Sequence, residues 1–406
     1  MIMTIGIDAS RANLLHKTGT EWYSFYLIKN LAEIDKENTY WLYLNKPARP
    51  ELVEAVKNNP NFSFKLLDWP FFSFWTLGRL TLEMLLRRPD VLFIPAHTLP
   101  LFGPRRTLNT IHDVAFVREQ NLYRPVKAKT SIVGTRQLIN FFVKVLTLGR
   151  YRSDSVDYLY WSTAFALKHA EKIIAVSEFT KQDILNLYPK TPSDKISVVH
   201  NGYNDQIYHQ IQATPEKIAA VLDKYALEAP YLLYVGRLEK KKNIPALVES
   251  YAYLRENHSE IKANLVLIGD AGFGFDEIKY TIEEFDLNGQ VFMPGWVAEE
   301  DMPYVMSAAA AFVFPSKHEG FGIPVLQALA CGVPTAVSDI PVLREVAGNA
   351  VLYFNHNDKR AIAEALFRIL TDKNLRQTLA VKGLEQVKRF SWRRCAAETL
   401  AVIKSL

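Results

Sequence analysis

The sequence predicts an α/β protein with two Rossmann-like domains, each a doubly wound parallel sheet, facing each other across a cleft. Its 406 residues exceed what one ordinary hydrophobic core accommodates. Short apolar runs alternate with helical patterns along most of the chain, which is typical of βα units. The alternation starts again after residues 201–202, so we predict a first domain over 1–205 and a second over 206–390.

Short segments of three to six residues, most of them rich in apolar side chains, predict the strands of both sheets. In the first domain they are residues 4–8, 40–44, 62–67, 91–95, 107–112, 172–176 and 196–199. In the second they are residues 231–235, 265–268, 291–293, 311–314, 335–337 and 351–353. Amphipathic stretches predict helices over 22–34, 77–87 and 158–169, and Ser391 is a candidate cap for a last helix over 391–406.

A loop with one carboxylate and two glycines lies between the strand 311–314 and a helix over 324–330. The carboxylate is Glu319, and the glycines are Gly320 and Gly322. Such a loop directs backbone N–H groups and the positive end of a helix toward one point, which suits a phosphate. On geometry alone, an ordinary βα turn is an equal alternative.

A basic stretch follows the first strand of the second domain, and it contains Arg237 and Lys242. Both would lie at the carboxyl end of a parallel strand, where ligands bind in sheets of this kind. Fixed cations there would suit an anionic ligand such as a phosphate. The alternative is a solvated charge run, which we favour for Lys240 and Lys241.

Two positions of the first domain are further candidates for a ligand site. His112 ends a strand and can donate or accept a proton near neutral pH, although a lone His is more often structural. Its neighbour Asp113 would orient the ring or cap a turn. Gly19 follows the first strand, where the absence of a side chain allows close backbone approach, and a plain turn is the alternative.

The stretches 237–242 and 319–332 together resemble the retaining glycosyltransferases of family 4, also called group 1, which have the GT-B fold. The resemblance covers essentially the whole chain. It implies that Arg237 and Lys242 bind the donor diphosphate, and that His112 and Glu319 contact the transferred sugar. It further implies a last helix that crosses back to the first domain. Other donor contacts that it implies are Gly19, Trp296, Val297, Gly320, Phe321, Gly322 and Ile323.

The chain departs from the family pattern at one position. A second Glu is expected eight residues after Glu319, where it holds the ribose hydroxyls, and this chain has Gln327. A Gln retains an acceptor oxygen and adds donors, but it loses charge-assisted strength. We therefore expect weaker donor binding and retained activity.

Composition excludes several other classes of protein. The two cysteines form neither a disulfide framework nor a metal cluster, and no Asp-x-Asp pair occurs, so we expect no metal or other cofactor. The net charge of +5 favours an anionic partner, but no nucleic-acid motif accompanies it. No apolar run approaches a membrane span, and no signal-peptide pattern is present, which favours a cytoplasmic location.

Residues 124–152 contain seven basic side chains and no acidic one, around an apolar stretch over 138–148. A basic and apolar helix of this length suits the headgroup layer of an anionic membrane. We therefore predict a peripheral contact with the inner membrane surface. A helix packed on the first domain, or in a dimer contact, is an equal alternative.

The resemblance implies transfer of a sugar from a nucleoside-diphosphate sugar to a glycan or lipid-linked acceptor, in polysaccharide or glycoconjugate assembly. The new bond would keep the anomeric configuration. Two alternatives stay open: an epimerase or hydrolase of the same fold, and a non-catalytic nucleotide-sugar-binding protein. The sequence does not identify the nucleotide, the sugar or the acceptor.

Overall fold

The computed structural model describes residues 2–69, 75–119 and 155–406. The chain forms two compact units, one made of Met1–Gly202 with Trp392–Leu406 and the other of Tyr203–Ser391. The domain boundary predicted at residue 205 lies close to the division between these units.

The described part of the first unit contains one parallel sheet with the strand order β3-β2-β1-β4-β5-β6-β7. Its strands are β1 (Thr4–Asp8), β2 (Thr39–Leu44), β3 (Phe62–Leu66), β4 (Val91–Ile94), β5 (Thr107–Ile111), β6 (Lys172–Ala175) and β7 (Ile196–Val198). Its helices before the last one are α1 (Gly19–Ile34), α2 (Pro50–Val56), α3 (Thr81–Leu86), α4 (Ser155–His169) and α5 (Glu178–Leu187).

The second unit contains another parallel sheet, with the order β10-β9-β8-β11-β12-β13. Its strands are β8 (Tyr231–Val235), β9 (Asn264–Ile268), β10 (Val291–Gly295), β11 (Ala309–Phe314), β12 (Thr335–Ser338) and β13 (Leu352–Phe354). Its helices are α6 (Pro215–Lys224), α7 (Ile244–Asn257), α8 (Phe275–Glu284), α9 (Met302–Ala308), α10 (Ile323–Ala330), α11 (Pro341–Ala347), α12 (Lys359–Thr371) and α13 (Lys373–Gln386).

The predicted α/β class with two parallel sheets is confirmed, and each predicted strand has a counterpart. The central strands are buried along their length; every residue of β4, β5, β11 and β12 is buried. Burial on both faces explains why β4 and β11 read as continuous apolar runs in the sequence. The strands β5 and β12 also bury Thr, Asn and Ser side chains. The two cysteines, Cys331 and Cys395, are also buried.

The helix predicted over 22–34 begins three residues earlier, at Gly19. Thr18 is its N-cap and forms a capping box with Glu21, whose side chain accepts from the Thr18 backbone N–H at 3.2 Å. This pairing satisfies donors that the first turn would otherwise leave free. Gly19 is therefore the first residue of a helix and does not lie in the preceding loop.

The last helix, α14 (Trp392–Lys404), packs against α1 and belongs to the first unit, as the resemblance implied. Trp392 is 4% exposed, and its ring stacks on Tyr26 at 5.5 Å with an interplanar angle of 15°. Its edge also contacts Tyr23, at 6.1 Å between ring centroids. Buried aromatic area of this kind dominates the free energy of docking.

The segment 124–152, predicted to contact a membrane, lies outside the described residues, and that contact stays a prediction. Among the residues that the structure does describe, no helix has both the length and the apolar character to cross a bilayer.

We predict that Trp392→Ala destabilises the first unit by about 3 kcal/mol, because it removes a buried stacked ring and leaves a cavity. Urea denaturation followed by fluorescence and circular dichroism measures this loss. Arg393→Ala, at an exposed position of the same helix, is the control and should leave the midpoint nearly unchanged. Equal midpoints for the two variants would show that the last helix does not stabilise this unit.

Candidate active site

The second sheet brings two predicted loops to one edge. β8 and β11 are hydrogen-bonded parallel neighbours, so their carboxyl ends point the same way. β8 is also where the strand order reverses, since β9 lies on its other side. A reversal of this kind is the usual ligand position of an open α/β sheet.

The loop after β8 is held against the loop after β9 by close backbone contact. Gly269 has φ +140°, and a Cβ there would collide with the Gly236 carbonyl. Leu238 donates its backbone N–H to Asp270 O at 2.9 Å. Arg237 lies between Gly236 and Leu238 in this loop. Its side chain is 56% exposed, and its Nε lies 4.0 Å from the Glu239 carboxylate. The guanidinium is therefore accessible on a rigid support.

A tight turn directs Lys242. Residues 240–242 form a 3₁₀ turn that ends at Asn243, which has the left-handed φ of +57° and caps α7. Asn243 is buried, and its side-chain amide donates to His356 O at 2.9 Å. Asn adopts this left-handed backbone conformation more readily than most other residues with a side chain. The turn therefore fixes the direction in which Lys242 leaves the backbone.

Lys242 and Glu319 form an ion pair between the two loops. The Lys242 Nζ lies 2.6 Å from Glu319 Oε1, and both side chains are nearly buried, at 13% and 11% exposed. The same ammonium lies 5.5 Å above the ring of Phe314, the last residue of β11. A backbone hydrogen bond from Lys317 N to Lys241 O, at 3.0 Å, joins the loops independently of the ion pair.

The helix that follows Glu319 is preceded by a glycine whose positive φ is unfavourable for residues with a side chain. Gly322 is the N-cap of α10 and has φ +102°. A Cβ there would lie 2.9 Å from Leu343 Cδ2, so a larger residue would meet both strain and a contact. The helix begins at Ile323, one residue before the predicted start. Phe321 is buried with its ring edge-on to Phe390, at 5.7 Å.

The remaining candidates of the second unit differ in exposure. Gln327 lies within α10 and is partly buried. Trp296 is 40% exposed, whereas Val297 is 4% exposed and its side chain belongs to the core. A contact between Val297 and a nucleotide base would therefore involve its backbone.

In the first unit, His112 is held in one orientation at the end of β5. Its Nε2 lies 3.0 Å from Pro95 O, and the ring of Tyr23 meets it edge-on at 4.8 Å. Burial lowers the pKa of His112 to about 4, and the neighbouring His97 acts in the same direction. The Pro95 carbonyl, Asp113 and Glu21 oppose this shift but do not cancel it.

These contacts determine the form of the His112 ring. A carbonyl oxygen only accepts hydrogen bonds, so His112 Nε2 carries the proton. A neutral ring then has Nδ1 unprotonated, available to accept a hydrogen bond from a hydroxyl. The residue can orient a hydroxyl, but at neutral pH it cannot supply a positive charge.

The N-terminus of α1 already carries an anionic side chain. Burial favours the neutral acid of Glu21, but hydrogen bonds from Thr18 and the charge of Arg11 hold its pKa below the usual range. The Arg11 Nη1 lies 3.1 Å from Glu21. A Cβ on Gly19, the first residue of this helix, would meet open space, so packing within this unit does not require a glycine.

Comparisons with known proteins identify the family of this chain. Residues 222–386 match the family described as Glycosyl transferases group 1, and residues 18–207 match Glycosyltransferase Family 4. O-antigen chain mannosyltransferase B of Escherichia coli is 32% identical over 333 residues, which are 81% of this chain and 84% of that protein. The chain belongs to the group 1 glycosyltransferases.

Solved structures support the fold of this glycosyltransferase along its whole length. Sucrose-phosphate synthase from Thermosynechococcus elongatus has a TM-score of 0.74 at 19% identity, covering 99% of this chain and 98% of that one. Anabaena HepE in complex with UDP-glucose has a TM-score of 0.71 at 16% identity and full coverage of both chains. The predicted GT-B fold is confirmed.

The structure brings some predicted site residues of the glycosyltransferase together and leaves others in the separate first unit. Lys242, Glu319 and Gly322 lie on adjoining loops of the second unit, and Arg237 precedes Lys242 in the same loop. Gly19 and His112 belong to the first unit. Their predicted roles toward a ligand stay predictions.

Sequence reasoning missed the residues that support this site. Tyr234 stacks on Phe314 at 5.9 Å and donates to Arg237 O at 3.2 Å. Burial raises the pKa of Tyr234 well above its usual value, and the carboxylates of Glu319 and Glu239 add to this, so the hydroxyl stays neutral. A single sequence gives no signal that distinguishes such a Tyr from any other strand residue.

Within the described ranges, no three or more His, Cys, Asp or Glu side chains are grouped so that they could hold a metal ion. The charged groups that we find at the second-unit edge are cations and their carboxylate partners.

We predict that His112 makes folding of the glycosyltransferase pH-dependent in acid. Its pKa is about 4 when folded and near 6.5 when unfolded, so the unfolded state binds more protons between these values. Stability that is present above about pH 6.5 is therefore lost as the pH falls, by roughly 1–2 kcal/mol at pH 5. Denaturant titrations at pH 7 and pH 5 measure the change.

The control is His112→Gln, whose amide can still donate to Pro95 O but does not titrate. Its loss of stability between pH 7 and pH 5 should be smaller than that of the wild type by this amount. An equal loss in both proteins would contradict the depressed pKa.

Proposed function

We propose that this glycosyltransferase moves a hexose from a nucleoside-diphosphate sugar to a hydroxyl of a glycan or lipid-linked acceptor, with retention of the anomeric configuration. The observation that carries the proposal is the Lys242–Glu319 pair, with its 2.6 Å separation at the strand reversal of the second sheet. It sets a cation and a hydroxyl acceptor side by side, which are the two groups needed to bind a phosphate joined to a sugar.

The diphosphate is the part of the donor that the second unit would bind. Arg237 offers an exposed guanidinium that matches paired phosphate oxygens, and Lys242 offers a point charge. The N-terminus of α10 follows Gly322, and the positive end of the helix dipole favours an anion there, although Pro324 in the first turn has no backbone N–H to donate. As the sugar–phosphate bond breaks, these fixed groups stabilise the developing negative charge without needing to reorganise.

The sugar would be oriented by hydroxyl acceptors and attacked without a covalent enzyme intermediate. Glu319 would accept hydrogen bonds from sugar hydroxyls. In the first unit, the predicted sugar contact His112 offers a neutral ring whose Nδ1 can accept one. The bond between the sugar C1 and the diphosphate oxygen breaks first, and the acceptor hydroxyl then forms its bond to C1 from the same face and passes its proton to the departing diphosphate. The protein supplies positioning and electrostatic stabilisation. No metal is needed in this scheme, because cationic side chains bind the diphosphate.

Two relatives indicate which donors to test first. The Escherichia coli relative is named a mannosyltransferase, and the HepE structure contains UDP-glucose. We therefore infer that mannose or glucose is the transferred sugar, and that O-antigen-like polysaccharide is the acceptor class. Gln327 would hold the ribose, which every ribonucleoside-diphosphate donor contains.

A donor panel tests the proposed function. Purified protein is incubated with GDP-mannose or UDP-glucose, with and without octyl α-mannoside as acceptor, and with and without EDTA. We expect a new α-glycoside that depends on the acceptor, forms equally in EDTA and has the donor's anomeric configuration by NMR. Turnover without acceptor would indicate a hydrolase or epimerase, and no turnover with any donor would contradict the proposal.

We predict that Arg237→Gln and Lys242→Gln each lower kcat/KM by roughly 100-fold, because each removes a cation that stabilises the leaving diphosphate. Steady-state kinetics at varied donor concentration measure the loss. Lys240→Gln is the matched control, since that lysine lies in the same turn and pairs with Glu277 at 3.5 Å. If all three variants had similar activity, the diphosphate would not be bound by this loop.

We predict that Gln327→Glu tightens donor binding by roughly threefold to tenfold, because a carboxylate bonds a ribose diol more strongly than an amide. Isothermal titration with the nucleoside diphosphate measures the affinity. An affinity unchanged from the wild type would remove Gln327 from the ribose site.

A further inference from the structure

We propose that the Lys242–Glu319 ion pair is exchanged during donor binding. Without donor, Glu319 is the counter-ion of Lys242; the diphosphate takes its place, and Glu319 is then released to the sugar hydroxyls. This inference rests on the proposed function and deepens it, because it couples recognition of the two halves of the donor.

The geometry makes simultaneous binding unfavourable. The ammonium and carboxylate are 2.6 Å apart, and only about a tenth of each side chain is exposed. Charges in such a place are weakly screened by water. A phosphate that bonds Lys242 would bring a second anion beside Glu319, and the two would repel each other. Diphosphate binding therefore favours departure of the carboxylate from the ammonium.

The surrounding structure lets the side chains separate while the backbone stays in place. The bond from Lys317 N to Lys241 O joins the two loops through main-chain atoms. The backbone N–H of Lys242 donates to Glu239 O at 2.9 Å, and its ammonium lies over the ring of Phe314. The lysine is thus positioned without Glu319, and the ion pair is not needed to build the loop.

The other two lysines of the loop are paired with carboxylates other than Glu319. Lys241 lies 3.5 Å from Glu239, which also faces Arg237, and Lys240 lies 3.5 Å from Glu277. Glu319 is paired with the one lysine that we assign to the diphosphate. Its charge therefore affects diphosphate binding directly.

A coupling between the two halves of the donor follows. A nucleoside diphosphate that lacks the sugar displaces Glu319 and gives it no new donor, so its binding is penalised. The complete donor displaces the same carboxylate but supplies sugar hydroxyls to it. The enzyme thus favours the complete donor over the diphosphate product. After transfer, Glu319 recaptures Lys242 and favours product release.

Glu319→Gln tests the exchange, because it keeps the shape of the side chain and removes its charge. Calorimetry with GDP, UDP, GDP-mannose and UDP-glucose gives the affinities for the product and for the complete donor. We expect the variant to bind the nucleoside diphosphate about tenfold tighter, since the competing charge-assisted bond is lost. Its ratio of donor affinity to diphosphate affinity should fall, and product inhibition should become stronger.

Two further variants separate this effect from a structural one. Glu277→Gln removes the carboxylate beside Lys240 and should leave both affinities unchanged. Glu319→Asp keeps the charge but shortens the side chain, so its diphosphate affinity should lie between those of the wild type and Glu319→Gln. This second variant still tests the exchange if Glu319→Gln misfolds.

Unchanged or weaker diphosphate binding by Glu319→Gln, with a melting temperature like that of the wild type, would overturn the exchange and leave the proposed function standing. A wild-type protein that binds none of the four nucleotides would overturn the proposed function itself, and the exchange with it.

Discussion

The arrangement of the candidate site depends on one constraint, the parallel pairing of β8 and β11 in the second sheet. Because the strands are neighbours and run the same way, residues far apart in the chain leave them at one edge. Lys242 and Glu319 are 77 positions apart and form their ion pair only through this pairing. The same constraint sets the N-terminus of α10 beside the basic loop that follows β8.

The two units contribute different electrostatics. The second unit has an edge with several cations, of which Arg237 is the most exposed of those with a described ion pair. In the first unit, the charge of Arg11 is matched by Glu21, and His112 is kept neutral by burial. A diphosphate is expected to prefer the cationic edge. The neutral ring suits a hydroxyl, which needs an oriented acceptor and no charge.

Much of the fold could be predicted because several buried parallel strands are short continuous apolar runs, and this signal is strong in β4 and β11. Apolar periodicity predicts a start for α1 that is three residues late, because it does not include the capping-box spacing of Thr18 and Glu21. The sequence identified Lys242 and Glu319 separately. It could not predict their contact, because the contact requires the order of the strands. The burial of Val297 could not be predicted from the sequence either, because a Val next to a Trp is compatible with both a core position and a ligand site.

The central claim is that Lys242 exchanges a carboxylate for a diphosphate at this sheet edge. A crystal structure of the protein with GDP or UDP, whichever binds, tests it most directly. The account predicts β-phosphate oxygens within hydrogen-bond distance of Arg237 and Lys242, at the N-terminus of α10, and Glu319 out of hydrogen-bond distance of Lys242. A diphosphate bound elsewhere, or one bound here while Lys242 still contacts Glu319, would contradict it.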